Sequence, residues 1–286
     1  MSRPITRLDH VVVAVANLDV AAATYRKLGF TLTPRGLHEG KGTGNNCIMF
    51  GSSYIELLGV VDATGAEGRL AQRVTARGEG GIAIAYGADD ADKTAAALRA
   101  AGVDAEDPND LARPLELDGK REMVRFRNIM LPGLKLPETM QFVCTHLTPE
   151  LTRARHEWQL HPSGATSIAA VIVAHQRPHD ENAAFTALFG EERLAVQLGV
   201  PGETHAGLDN ARIDVKPRAA VAAMLGDGAL DGAPQTGIVA LKIRVNELDA
   251  VAAMLDMGRT PHRETKAGVI VPAKAAHGLA LLFAED

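Results

Sequence analysis

Aromatic residues are scarce in this chain of 286 residues, where phenylalanine, tryptophan and tyrosine together make up 4%. Proteins that bind single-stranded nucleic acid stack bases on exposed aromatic rings. Basic residues are not in excess either, because 30 lysines and arginines stand against 35 acidic residues, for a formal net charge of −5. They are scattered, with no run longer than pairs such as Lys120–Arg121. Both shortages argue against a nucleic-acid-binding protein.

Cysteine and long apolar runs are also in short supply. The two cysteines, Cys47 and Cys144, form no zinc-binding pattern, and we expect buried, reduced thiols. The apolar run at residues 11–16 is too short for a signal peptide or a membrane span. We therefore predict a cytoplasmic protein without a membrane partner.

Length and composition predict two domains, since a single domain rarely has 286 residues. Hydrophobic residues make up 46% of the chain and are mostly alanine and valine. Residues 148–164 are charged, contain the single tryptophan, Trp158, and end in Pro-Ser-Gly. We predict that they connect a first domain at 1–147 to a second at 165–286.

One pattern recurs four times: a β-rich run, an acidic residue and an alanine-rich amphipathic stretch. In its first copy the strand is predicted at residues 8–15, with Asp19 as the helix N-cap and Gly29 just after the helix. The other three helices are predicted to end at Gly102, Gly190 and Gly258.

Short strands separated by Gly, Pro, Asn and Asp follow these helices. They are predicted at 31–34, 47–50, 54–60, 121–129, 140–144, 268–271 and 279–283. The chain is therefore predicted to be an α+β protein made of βαβββ units. Each helix must pack on the sheet of its own unit to bury its apolar face.

The residues LDHVVVAV, a helix ending in KLGF, and YIELLGV resemble the vicinal-oxygen-chelate superfamily. More narrowly, HEGKGTGNNCIMFGSSYIELLGV with the later THLTPEL and HPSGAT is similar to its glyoxalase-like-domain family. The resemblance implies tandem βαβββ modules forming two half-open eight-stranded sheets with helices on the outer face. It also implies a divalent metal, held by one residue from the first and one from the last strand of each module.

His10 and Glu56 fall at the two metal-ligand positions of the first module. We assigned Gly81 and Gln141 to the second module, where glycine offers no ligand and a glutamine amide is a poor one. The second domain has Ala170, Asp214, Ala240 and Leu282 at these four positions, which implies a structural role for it.

His10 and Glu56 are the predicted catalytic residues and the predicted metal ligands. An isolated buried carboxylate is costly, so Glu56 in an apolar strand indicates a partner such as His10. The cofactor would be a divalent metal (Zn, Ni, Mn or Fe), or the site would work without one. We favour His38 over His146 as an additional pocket residue, because His146 fits an interdomain role better.

Four residues are predicted to bind substrate: Asn45, Asn46, His38 and Gln141. The glycines of 42–46 let the backbone approach a ligand, and the asparagine amides can orient its oxygens. The alternative is a plain turn leading into the strand at 47–50. Arg35 and Arg125 could pair with a substrate carboxylate, but both fit solvated surface charges better.

The resemblance implies a glyoxalase-like small-molecule enzyme with isomerase, epimerase or lyase chemistry on an α-oxygenated carbonyl compound. Glu56 would be the general base or a metal ligand, and His10 a metal ligand or electrostatic partner. The alternative is a metal-free binding or sequestration protein of the antibiotic-resistance type, favoured by the missing ligands. The chain could be a monomer or a homodimer.

Overall fold

The computed structural model describes residues 5–38, 40–66, 68–152, 155–196 and 202–285. Its first sheet has eight strands. They are β1 (Arg7–Val15), β2 (Gly36–His38), β3 (Thr43–Met49), β4 (Tyr54–Val60), β5 (Gly80–Gly87), β6 (Asn109–Leu117), β7 (Lys120–Met130) and β8 (Met140–His146). The helices of this part are α1 (Leu18–Lys27), α2 (Arg69–Arg77), α3 (Ala91–Ala100) and α4 (Pro149–Thr152).

The second sheet also has eight strands. They are β9 (Ala165–Ala174), β10 (Leu194–Val196), β11 (Thr204–Gly207), β12 (Arg212–Lys216), β13 (Gly237–Val245), β14 (Arg263–Thr265), β15 (Gly268–Val271) and β16 (Ala280–Ala284). Its helices are α5 (Asn182–Phe189), α6 (Arg218–Leu225) and α7 (Leu248–Met257).

The strand order confirms the predicted α+β class and the tandem βαβββ modules. The first sheet runs β2-β3-β4-β1-β5-β8-β7-β6 and the second repeats that order from β10 to β14. In each sheet the two modules meet along one antiparallel pair, β1 with β5 or β9 with β13. The first strand of a module also pairs in parallel with its last, as β1 does with β4.

The helix-bearing faces of the two sheets contribute to one hydrophobic core. Val11 and Val13 of β1 lie in it together with Val171 of β9 and the buried side of α1. The hydroxyl of Tyr25 donates to the carbonyl of Ala276 across this core. The opposite, concave face of each sheet is therefore left for other contacts.

The concave faces of the two sheets differ. Val221 and Leu225 of α6 pack against concave residues of the second sheet, among them Ile172, Ala240 and Leu282. The first sheet encloses a cavity of about 800 Å³, whereas the cavity on the second sheet has about 470 Å³. This difference places the candidate site in the first half of the chain.

Several local predictions are corrected by the structure. Residues 31–34 are not a strand, β6 is a strand that the sequence pattern missed, and α6 was also not predicted. The N-cap of α1 is Asn17 rather than Asp19, because the Asn17 carboxamide oxygen accepts from two backbone N–H groups of the first turn. Gly29 follows the helix with a φ of 79°, as predicted.

Candidate active site

A bulge in β1 creates the central cluster of the site. Leu8 pairs with Tyr86 and His10 with Ala85, so Asp9 is an extra residue opposite β5. A bulge of this kind re-aims the side chains around it. Leu8 remains in the convex core, whereas His10 lines the cavity. The carboxylate of Asp9 contacts the His10 ring.

Asp9 accepts hydrogen bonds from two imidazole rings. The Nδ1–H of His10 donates to its Oδ2 at 2.6 Å, and the Nε2–H of His146 donates to the same oxygen at 3.1 Å. Burial raises the pKa of the Asp9 carboxyl, but the hydrogen bonds from both histidines outweigh burial and hold this pKa well below its usual range. Asp9 is therefore an ionised carboxylate that fixes the orientation of both rings.

Two aromatic rings contact the imidazole of His10. Tyr54 stacks on it with ring centroids 4.4 Å apart and an interplanar angle of 19°, and Phe142 meets it edge-on at 5.4 Å. Because its Nδ1 binds Asp9, its Nε2 is the nitrogen directed at Glu56. That nitrogen lies 3.7 Å from Oε2 of Glu56, too far for a direct hydrogen bond. Both atoms are thus available to a ligand.

Glu56 is oriented by the neighbouring strand. The Nδ2 group of Asn45, on β3, donates to its Oε1 at 2.6 Å. A Cβ atom at Gly36 would come within 2.3 Å of the Asn45 Oδ1 atom, so this position leaves the space that Asn45 occupies. His10 and Glu56 are therefore each held by a second polar residue, as expected of a preorganised site.

These residues lie on the wall of a cavity of about 800 Å³. Cavities of roughly 300–1,000 Å³ accommodate small molecules. Its apolar wall includes Leu58, Ile82, Leu111, Val124, Phe126 and Phe142. Trp158, from the segment predicted as the connector, completes the lining. The fold and the cavity thus support a role in small-molecule catalysis or binding.

The predicted substrate-binding residues separate into two groups. Asn45 and His38 line the cavity, and burial lowers the pKa of the His38 imidazole, whose Nδ1 lies 3.0 Å from the Thr43 hydroxyl. Asn46 donates to the carbonyl of Thr33 and is not among the lining residues. The strand begins at Thr43, earlier than predicted, and its alternation turns Asn45 and Asn46 to opposite faces.

Gln141 also lies away from the cavity. Its Oε1 accepts a hydrogen bond from the Tyr86 hydroxyl at 2.7 Å on the convex side of the sheet. The register explains this placement, because Gln141 pairs with Ile84, a residue of the convex core. The predicted substrate-binding residue Gln141 therefore faces the convex core and not the cavity.

The pairing of β5 with β8 also shows that the metal-ligand positions of the second module are not at Gly81 and Gln141. Ala83 precedes the N-cap Asp90 by seven residues, as His10 precedes Asn17. Ala83 pairs with Met140 as His10 pairs with Tyr54, so Phe142 is the counterpart of Glu56. The four metal-ligand positions of the first sheet are therefore occupied by His10, Glu56, Ala83 and Phe142. Neither Ala83 nor Phe142 offers a donor atom, and the four-residue metal site of the superfamily does not fit this chain.

A different group of possible metal ligands lies beside His10. One ligand atom each from Asp9, Cys144 and His146 lies within 4.8 Å of the others, with the Cys144 Sγ 3.8 Å from the His146 Nε2. Burial and the nearby Asp9 and Glu56 carboxylates raise the pKa of the Cys144 thiol well above its usual range. A thiolate, an imidazole and a carboxylate suit zinc better than manganese.

Sequence reasoning missed Asp9 and Cys144. A signal was present for Cys144, because residues 144 and 146 of one strand lie on the same face. No signal was present for Asp9, since a regular strand would have pointed it away from His10. The predicted metal ligands His10 and Glu56 are both brought to the cavity, with Nε2 and Oε2 3.7 Å apart.

The chain belongs to the glyoxalase-like domain family, whose sequence profile matches residues 8–189. This family is part of the vicinal-oxygen-chelate superfamily, to which the two sheets also correspond. No curated protein sequence matches the chain. None of the described helices is long and apolar enough to cross a membrane.

Two solved structures share the fold over nearly the whole of this chain. A hypothetical protein from Staphylococcus aureus matches with a TM-score of 0.69 and 15% identity, over 99% of this chain and 100% of that one. A xylose isomerase-like TIM barrel/4-hydroxyphenylpyruvate dioxygenase fusion protein matches with 0.56 and 13%, over 99% of this chain and 50% of that one. Methylmalonyl-CoA epimerase from Mycobacterium tuberculosis has a TM-score of 0.38 and 24% identity, over 51% and 91%.

Proposed function

We propose that this protein is a small-molecule enzyme that moves a proton next to a carbonyl group, as an isomerase, epimerase or lyase for an α-oxygenated carbonyl compound. The observation that carries the proposal is the pair formed by His10 and Glu56. Their facing atoms are 3.7 Å apart in the cavity wall, and each side chain is oriented by a second residue.

Glu56 is the proposed general base. Asn45 holds one of its oxygens and leaves Oε2 to accept a proton from the substrate carbon. As that C–H bond breaks, its electron pair forms a C=C bond and the carbonyl electrons move to the oxygen. The resulting enolate takes the proton back from Glu56 at a neighbouring carbon, or takes a proton from water at the other face while Glu56 releases its own to solvent. Alternatively, the carbonyl re-forms, the C=C electrons move to the next carbon–carbon bond, and a leaving group departs with its bonding pair.

His10 is the proposed partner of the enolate oxygen. Its imidazolium form donates the Nε2–H to that oxygen, while Asp9 stabilises the positive charge through Nδ1. The stacked Tyr54 and the edge of Phe142 keep the ring in place. The apolar wall of the cavity strengthens these charge interactions by excluding water.

Zinc, held by Asp9, Cys144 and His146, is the metal that the donors of this chain would bind best. When bound, it would supply Lewis-acid polarisation of a substrate oxygen. In the proton transfer described above, Glu56 and His10 contact the substrate, with Asn45 and Asp9 holding them in place.

A second candidate function is binding or sequestration of a small molecule without chemistry. It is favoured by Ala83 and Phe142, which replace two of the four superfamily ligands with apolar side chains, and Phe142 forms part of the apolar wall. Under this alternative, ligands bind to the cavity and leave unchanged.

Deuterium exchange distinguishes the two. The protein is incubated in D₂O with a panel of α-hydroxy and α-oxo carbonyl compounds, and mass spectrometry measures the deuterium gained at carbon. We expect exchange into at least one compound, reduced about 10²–10⁴-fold in Glu56→Gln. Glu116→Gln, which alters an exposed carboxylate of β6, should exchange like the wild type. Ligand binding without exchange of any compound would favour the second candidate.

A further inference from the structure

Besides Glu56, the cavity contains the charged side chain of Arg113, which lies on β6. This residue pairs with Val124 of β7, and its half-buried side chain lines the cavity with Glu56 and Asn45. A Cβ atom at Gly36 would lie 2.9 Å from Arg113 Nη1 and 2.3 Å from Asn45 Oδ1. Gly36 therefore leaves room for Asn45 and Arg113 at the same point of the wall.

The guanidinium of Arg113 has no ion-pair partner among the described residues. Arginines elsewhere in the same half do pair, as Arg99 does with Asp107 and Arg127 with Asp92. The charge of Arg113 nevertheless acts on the site, since it opposes the effect of burial on the Cys47 thiol, whose pKa is raised to about 12. A cation left half-buried without a partner is unfavourable, and an anionic ligand would relieve that cost.

The rest of the cavity is suited to an apolar group. Leu111, Val124 and Phe126 come from β6 and β7, the strands nearest Arg113, and Phe142 of β8 also lines the cavity. The other cationic lining residues, Lys41 and Arg69, are exposed. Among the lysines and arginines that line the cavity, Arg113 is the half-buried one.

We propose that the substrate is an amphipathic carboxylate, whose carboxylate group binds Arg113 and whose apolar part fills the cavity. This inference rests on the proposed function and narrows its substrate class. The planar guanidinium matches a carboxylate with two parallel hydrogen bonds.

This assignment also orients the substrate. Asn45 lies beside Arg113 through its Oδ1 and donates to Glu56 through its Nδ2. A carboxylate on Arg113 therefore brings the neighbouring carbon atoms of the ligand toward Glu56 and His10. Arg113 is thus a specificity-determining residue, which acts by positioning the reacting carbon.

The chain provides its own binding reporter, because its single tryptophan, Trp158, lines this cavity. Octanoate and the uncharged 1-octanol are titrated against the whole protein, with calorimetry as a second readout of binding. We expect octanoate to bind about 10–100-fold more tightly than 1-octanol, the range for hydrogen bonds to a charged group. Equal affinities for the two probes would overturn the proposal.

Three variants test whether Arg113 is responsible for the preference. Arg113→Gln should lose the preference for octanoate and keep the affinity for 1-octanol, whereas Arg125→Gln, which alters an exposed arginine of β7 outside the cavity, should keep both. Arg113→Lys retains the charge without the planar fork and should give an intermediate affinity. Equal loss of both probes in Arg113→Gln, with an unchanged circular dichroism spectrum, would contradict a role in reading the carboxylate.

The same titration in Glu56→Gln separates this inference from the proposed function. Octanoate binding retained in that variant, with deuterium exchange lost, supports both. Selective octanoate binding by a protein that exchanges no compound would leave the anion site intact and reject the enzyme. Exchange that shows no preference for carboxylates would support the enzyme and reject the role of Arg113.

Discussion

The Oδ2 atom of Asp9 lies 2.6 Å from the Nδ1 atom of His10, its neighbour in β1. Consecutive residues of a regular strand point to opposite faces and cannot make this contact. The bulge at Asp9 removes the restriction, since Leu8 and His10 pair with consecutive residues of β5. The orientation of the candidate catalytic histidine therefore depends on one extra residue in a strand.

Replacing Asp9 by asparagine removes this charge with little change in shape. The folded-state pKa of Asp9 lies well below its ordinary value of 3.8, so its contribution to stability is present above about pH 4 and is lost as the pH falls further. We expect Asp9→Asn to lower the free energy of unfolding by about 2 kcal/mol at pH 7, and by less at pH 3. Urea unfolding at both pH values measures this difference.

The exposed Asp104 provides the control for that experiment. Asp104→Asn should unfold like the wild type at both pH values. A destabilisation of Asp9→Asn that stays the same from pH 7 to pH 3 would mean that the Asp9 carboxylate is not stabilised by the two histidines. The proposed mechanism also expects Asp9→Asn to slow deuterium exchange.

A methyl group at Gly36 should disturb both the site and the packing around it. In Gly36→Ala the new Cβ would overlap Asn45 and Arg113, so both must shift, and the orientation of Glu56 is lost with them. We expect octanoate affinity to fall about tenfold and stability to change by about 1–3 kcal/mol. In Gly51→Ala the Cβ meets open space, and both quantities should stay near wild type. Unchanged binding in Gly36→Ala would show that this packing is unimportant.

His161 makes stability depend on pH near neutrality. Its Nδ1 accepts from the backbone N–H of Thr31, and its Nε2–H donates to the carbonyl of Met49, so the neutral ring ties residues 155–164 to the first sheet. Burial lowers the pKa of this imidazole from its ordinary value of 6.5. The unfolded chain therefore binds the proton first, and stability is lost as the pH falls below 6.5.

We expect His161→Phe to be less stable than the wild type at pH 7.5 and to lose less stability between pH 7.5 and pH 5. Thermal unfolding across that range provides the measurement. His156→Phe, at an exposed position of the same segment, should follow the wild-type curve. Parallel curves for the wild type and His161→Phe would exclude His161 as a source of the pH dependence.

The donor atoms predict which metal the protein retains. After reloading with Zn, Ni, Mn and Fe(II) and desalting, elemental analysis should find more zinc than manganese, because the available set contains a thiolate and an imidazole. Cys144→Ala should lose this zinc, whereas Glu56→Gln and Cys47→Ala should keep it. Loss of metal in Glu56→Gln instead would show that the metal is held by His10 and Glu56.

Most of the fold was predictable from local patterns. Residues 54–60 and 268–271 were assigned as strands with the bounds that the structure has, because their apolar runs end at clear turn residues. Gly29 was assigned correctly because few other residues adopt its positive φ. The strand β6 was missed because it contains Pro114, which argues against a strand, and because Arg113 interrupts the alternation of Leu111, Leu115 and Leu117.

The candidate site was predictable only in part. His10, Glu56, Asn45 and His38 were named from the sequence, and the structure brings all four to one cavity. Gln141 and Asn46 were named as well and lie on other faces, because a shift of one residue in strand register reverses the direction of every side chain. The cytoplasmic location, the domain boundaries at 147 and 165, and the choice between monomer and homodimer stay predictions.

The βαβββ repeats and the acid–imidazole pair of the first module could be predicted from the chain alone, because both depend on local periodicity and residue type. Tertiary structure alone decided that Asp9 joins His10, that Cys144 and His146 approach it from β8, and that Arg113 enters the cavity from β6. These residues are far apart in the chain or depend on a bulge. Their meeting follows from strand pairing and register, which no local pattern specifies.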